Sequence, residues 1–91
     1  MTLNELSDIT GRDIILRRYA KQGTRWIAKL EGSLVIEQGH EGSLVSGYGD
    51  GASPHEALSD YVRYLQGATL VFNSGEKDRA EFGVPSTLVL E

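Results

Sequence analysis

The residues best placed to do chemistry lie in one stretch, Gly47-Tyr-Gly-Asp-Gly-Ala-Ser-Pro-His-Glu-Ala-Leu58, where three alternating glycines run into a helix start. Free N–H groups and the helix dipole at such a start favour an anion. Gly47, Gly49, Gly51, Ser53 and His55 are therefore the candidate anion or nucleotide site. The pattern lacks the spacing of the dinucleotide fingerprint, and no Gly-Lys-Ser/Thr phosphate loop is present. Ser53 and Glu56 have the S-x-x-E spacing of a capping box, which satisfies the same N–H groups internally. The expectation is a flexible bend and a self-capped helix ahead of an anion cradle.

Other pairings in or near this stretch are weaker. Ser53 beside His55 could suggest a nucleophile and base, but the nucleophile-elbow spacing is missing. Asp50 and Glu56 could suggest an acid/base pair, yet carboxylates at a helix start serve the dipole. His40, beside Glu41, and His55 are the only histidines, and they do not form a metal-ligand spacing. No constellation meets the requirements of an enzyme, and no metal or cofactor is expected.

A second group is electrostatic. Arg17, Arg18, Lys21, Arg25 and Lys29 hold five of the nine cations in a chain of net charge −4. With Tyr19 beside them, Arg17 and Arg25 form a candidate patch for an acidic partner or, as a third option, nucleic acid. A solvated strand face explains the same residues more simply. The negative net charge argues against general nucleic-acid binding, which needs a basic surface, and the main helix lacks the lysines of a double-stranded RNA-binding module. A third group is the apolar Leu88-Val89-Leu90, which could cover a sheet edge or contact another chain, so a partner could bind through a sheet edge or through this tail.

These residues must be positioned by a small fold. Ninety-one residues with 40% hydrophobic and 24% charged make one globular domain, 1–91, with a small core. Residues 1–12 read as a leader whose Thr2 and Glu5 could cap a short helical turn bearing Leu3, Leu6 and Ile9. Alternation predicts strands over 13–20 and 25–31, with shorter ones at 34–37 and 43–48. Ser53, Pro54 and the stripe Ala57, Leu58, Tyr61, Val62 and Leu65 predict a helix over 54–66, ended by Gly67. Strands follow at 69–72 and 79–84, and Pro85 opens a tail, 85–91. The expected class is α+β: an antiparallel meander of about four or five short strands with one amphipathic helix on one face. No signal peptide or membrane-spanning run is expected, and with no cysteine the chain suits a reducing cytoplasm.

A sheet meander followed by Gly51, Ser53, Glu56 and Ala57 at a helix start resembles the HicB-type antitoxin fold, over about residues 24–73. His55 replaces that family's usual acidic residue, and nothing after Phe72 supplies its DNA-binding segment. The resemblance implies a sheet-plus-helix module of bacterial or phage origin that binds a partner protein, antitoxin-like or inhibitor-like, without operator binding. The small core adds the expectation of a homodimer.

Overall fold

The computed structural model describes residues 1–21, 23–36 and 43–91; His40, Glu41 and the predicted loop around them lie outside these. The class is α+β, with two helices and two antiparallel sheets among the described residues. Helix α1 (Leu3–Thr10) closes a full capping box between Thr2 and Glu5. Eight residues are too few to persist alone. α1 holds because Leu3 and Leu6 are fully buried, while Ile9 points to solvent. Strands β1 (Ile14–Tyr19) and β2 (Arg25–Leu30) form a hairpin in the register Ile14↔Leu30 through Tyr19↔Arg25.

The chain then departs from a simple meander. β3 (Leu34–Ile36) does not pair with β2 but belongs to the second sheet. The cause lies at the turn: Gly32 has φ +71, and buried Ser33 donates its hydroxyl to the Leu30 carbonyl at 2.8 Å. β4 (Leu44–Val45) pairs with β3, and β5 (Gly49–Gly51) crosses back to pair with β2. The single strand expected over 43–48 is thus a two-residue strand followed by a crossover. After helix α2 (Pro54–Leu65), β6 (Thr69–Phe72) inserts beside β3 and β7 (Ala80–Gly83) closes the outer side. The sheets are ordered β1-β2-β5 and β4-β3-β6-β7. Among the described residues, seven short strands stand where four or five were expected, and the short helical turn expected in the leader is a second helix, α1.

α2 forms where its pattern predicts. Its stripe buries Ala57, Tyr61, Val62 and Leu65, with Leu58 half-buried. Gly67, at φ +75, turns the chain out of the helix. The core joins this stripe to Leu3 and Leu6 of α1, Ala28 and Leu30 of β2, Val35 of β3, and Leu70 and Phe72 of β6. The tail completes it: Leu88 is fully buried, and Leu90 packs on the cluster. Leader and tail are tied by backbone, with Leu3 N–H donating to the Val89 carbonyl at 2.9 Å and Val89 N–H to Met1 at 3.0 Å. Among the described residues, no helix is long and apolar enough to cross a membrane.

Candidate functional site

Side chains alternate between the two faces of a strand, so the register assigns each residue of the first sheet. Gly49, Gly51, Ala28, Leu30 and Trp26 share the inner face, under α2. Ile15, Arg17 and Tyr19 of β1, Arg25, Ile27 and Lys29 of β2, and Asp50 of β5 share the outer face.

The inner face corrects the expected bend, because Gly49–Gly51 is a strand. Gly47, Gly49 and Gly51 stand two residues apart because all three face the helix. A Cβ on Gly49 would lie 2.2 Å from the Ala57 carbonyl oxygen and 2.4 Å from the Tyr61 nitrogen. One on Gly51 would lie 2.6 Å from the Ala57 nitrogen, and one on Gly47 2.3 Å from the Tyr64 ring. Gly49 and Gly51 are the floor on which α2 rests rather than a bend, and Gly47 lies beneath the Tyr64 ring. At the helix start, Ser53 Oγ accepts from Glu56 N–H at 3.1 Å, and Pro54 has no N–H to offer. Glu56 does not close the box on Ser53; its Oε2 accepts from Ala52 N–H at 2.9 Å. His55 is exposed at the end of this capped turn.

The tail is corrected as well. Leu88 and Leu90 fill the protein's own core, and only Val89 turns outward. Burying an apolar side chain contributes roughly 1.5–3 kcal/mol, so exposing Leu88 to a partner would forfeit core stability.

The outer face brings Arg17, Tyr19 and Arg25 together. Arg17 lies over the Tyr19 ring at 5.3 Å, and Tyr19 stands opposite Arg25 in the ladder. Arg25 makes a forked ion pair with Asp50, Nε to Oδ1 at 3.0 Å and Nη2 to Oδ2. That hydrogen bond, then the Asp50 charge, raise the Arg25 guanidinium above its ordinary value. Lys29 Nζ donates to Ser46 Oγ at 2.6 Å. Arg25, Asp50, Lys29 and Ser46 line an open depression of about 450 Å³ together with Ile27, Tyr19 and Tyr48. On this face Ile15, Tyr19 and Tyr48 are each 40–49% exposed, while Leu16, opposite Ala28, is on the other face and 39% exposed. Tyr48 and Ser46 are the residues that sequence reasoning missed. Their signal was alternation with the glycines, which sets Tyr48 opposite in sense to the helix-facing positions.

Chemically this face offers cations, aromatic rings and an apolar floor, all in contact with water. The Lys29–Ser46 contact is solvent-exposed, whereas catalysis by a serine–lysine pair requires a desolvated lysine. Among the described residues, no group of three or more His, Asp or Glu side chains is placed to hold a metal ion.

The opposite side of the sheet's backbone is sealed by α2. Asp50 N–H donates to Asp60 Oδ2 at 2.9 Å, and Leu30 N–H, beyond the reach of β5, donates to the Tyr61 hydroxyl at 3.0 Å. Burial is the main cause that raises the Tyr61 phenol above its ordinary value near 10, against the smaller lowering by the Leu30 N–H and Ser33.

Comparison with protein-family models, with curated proteins and with solved structures gave no significant match. The antitoxin likeness therefore stands on the helix-start residues quoted for it.

Proposed function

We propose that this chain is a non-enzymatic protein-interaction module, antitoxin-like or inhibitor-like and of bacterial or phage origin, whose β1–β2 hairpin binds an acidic partner protein. The observation that carries this is charge segregation on an uncovered surface. Residues 14–30 contain five of the nine cations and none of the thirteen carboxylates, although the whole chain is at −4. Of these five, only Arg25 is in an ion pair among the described residues. Like charges gathered on one hairpin disfavour the free state, and opposite charge on a partner relieves them while steering encounter. The exposed aromatic and aliphatic side chains among them supply contact area of the kind enriched in interfaces.

Quantitative affinity mass spectrometry tests the proposal, comparing the tagged protein with the double variant Arg17→Glu/Lys29→Glu. A near-stoichiometric protein partner retained by the wild type and lost by an equally stable variant is the expected result. Absence of any such partner from the organism's extract overturns it.

The two tyrosines favour a second reading, single-stranded nucleic acid stacked across the outer face. It requires oligonucleotide affinity that falls steeply with salt. A nucleotide at residues 47–56 would have to displace the Ser53 cap, on a stretch whose glycines face α2.

A further inference from the structure

The open edge of β1 deepens this proposal and rests on it. Glu31 N–H donates to the Asp13 carbonyl at 2.9 Å, one step beyond the Ile14↔Leu30 pair. Antiparallel ladder bonds recur at every second residue, so Ile15, Arg17 and Tyr19 also bond to β2. Ile14, Leu16 and Arg18 then turn their N–H and C=O groups away from it. The other side of β2 agrees: Trp26 and Ala28 serve β5, and Leu30 serves Tyr61. Among the described residues, no strand pairs with β1 on its free side. Its six residues are exposed except half-buried Ile14.

We infer that the β1 edge binds an acidic, extended segment of the partner protein as an added antiparallel strand. Side chains supply the selectivity. Arg17 and Arg18 are adjacent, so one cation flanks each face of the sheet, and Ile15 and Leu16 do the same with apolar surface. An antiparallel strand therefore fits best with two consecutive carboxylates followed by two β-branched residues. Each carboxylate meets one guanidinium across the seam, and opposite charges across a strand pair stabilise it. The protein already pairs acid with exposed strand backbone at its other edge, where Asp60 takes the Asp50 N–H.

Charge excludes the competing occupants. Pairing β1 with a second copy would gather four guanidiniums on one seam; arginine or lysine on an edge strand is a recognised guard against such self-association. β7, the outer strand of the second sheet, is shorter, ends in Gly83 and carries no cation. Nucleic acid has no strand backbone to add to a sheet.

The test uses the full chain and a capped octapeptide with the core Glu-Glu-Val-Val between threonines, followed by fluorescence anisotropy and amide chemical shifts at low salt. The expected result is saturable binding, with the largest shifts at Ile14, Leu16 and Arg18. Affinity should fall at least about tenfold, or roughly 1.4 kcal/mol, in three comparisons: a Lys-Lys-Val-Val peptide, a peptide N-methylated at alternate residues, and the variant Arg17→Glu/Arg18→Glu. Leu16→Pro is the second variant, because its lost N–H faces the open edge and leaves the β2 ladder intact. Insensitivity to N-methylation, with shifts at Tyr48 and Asp50, overturns edge pairing but leaves the proposed function standing. Failure of every peptide to bind up to millimolar concentration also overturns it, and the extract experiment then judges the function separately. Oligothymidylate shifting the same β1 amides with steep salt dependence overturns both. A dimer by sedimentation that Leu16→Pro dissolves assigns the edge to a second copy and overturns the acidic segment.

Discussion

At the β5 side of the first sheet, backbone N–H groups are met by side chains of α2: Asp60 takes Asp50 N–H, Glu56 takes Ala52 N–H and Tyr61 takes Leu30 N–H. At the β1 side, no helix among the described residues lies over the strand, and arginines stand where the other side has carboxylates. The two edges belong to one three-stranded sheet. An unpaired edge is a template for another chain unless it is covered or charged. One edge here is covered by the fold, and the other is marked by charge. The difference separates residues that build the domain from residues left over for contact.

The strongest way to break this contrast is to lift the helix off the covered side. Gly49→Ala places a methyl against rigid backbone at Ala57 and Tyr61, so the substitution should cost at least about 3 kcal/mol. Thermal or chemical denaturation should show a large loss of stability. Tyr61→Phe comes next, because it leaves the buried Leu30 N–H without an acceptor. A loss of about 2 kcal/mol, or roughly 10 °C in Tm, is expected.

The same residue predicts a pH dependence. The folded pKa of Tyr61 lies above its unfolded value near 10, so its stabilising effect is full below pH 10 and is lost as pH rises beyond that. Tyr61→Phe should be less stable than wild type at neutral pH but lose less on going alkaline. Parallel alkaline melting curves for the two proteins would contradict the burial of this hydroxyl.

Asp60→Ala should cost less, about 1 kcal/mol, since Asp50 N–H can then turn to water. Smallest of all should be Arg17→Glu/Arg18→Glu, with stability within about 0.5 kcal/mol of wild type per site. Loss of partner binding without loss of Tm at those two positions would sharpen the contrast most. An equal fall in both would erase it.

Local features were legible in the sequence to the extent that they are locally determined. Ser53, Pro54 and the Ala57–Leu65 stripe suffice for α2, and alternation in residues 25–30 suffices for β2. Pairing was not legible, because β2 with β5 and β3 with β6 are contacts between distant segments. Nothing in a two-residue strand such as Leu44–Val45 announces its partner. The glycines misled for a different reason. An apolar side chain repeating every second residue signals a strand face, whereas a missing side chain repeating every second residue carries no hydrophobic signal and suggests a loop. The tail misled because Leu88, Val89 and Leu90 have similar chemistry, and only the backbone link to Met1 and Leu3 decides which of them turn inward. Arg17, Tyr19 and Arg25 were legible as a group because their strands are sequential and pair.

The glycine floor also bears on how this molecule would look to a saturation-mutagenesis screen. Scored for folded protein, positions 49 and 51, which meet helix backbone, should reject nearly every replacement, as sharply as catalytic residues would, whereas Gly47 meets only the movable Tyr64 ring and should tolerate more. Positions 48 and 50, interleaved with them, point to the open face and should accept many. A screen of that kind would draw the eye to two residues that hold a helix in place and pass over Tyr48 beside them. Only a second screen, scored for retention of the partner, would reverse the pattern, and the residues that change rank between the two would outline the binding surface.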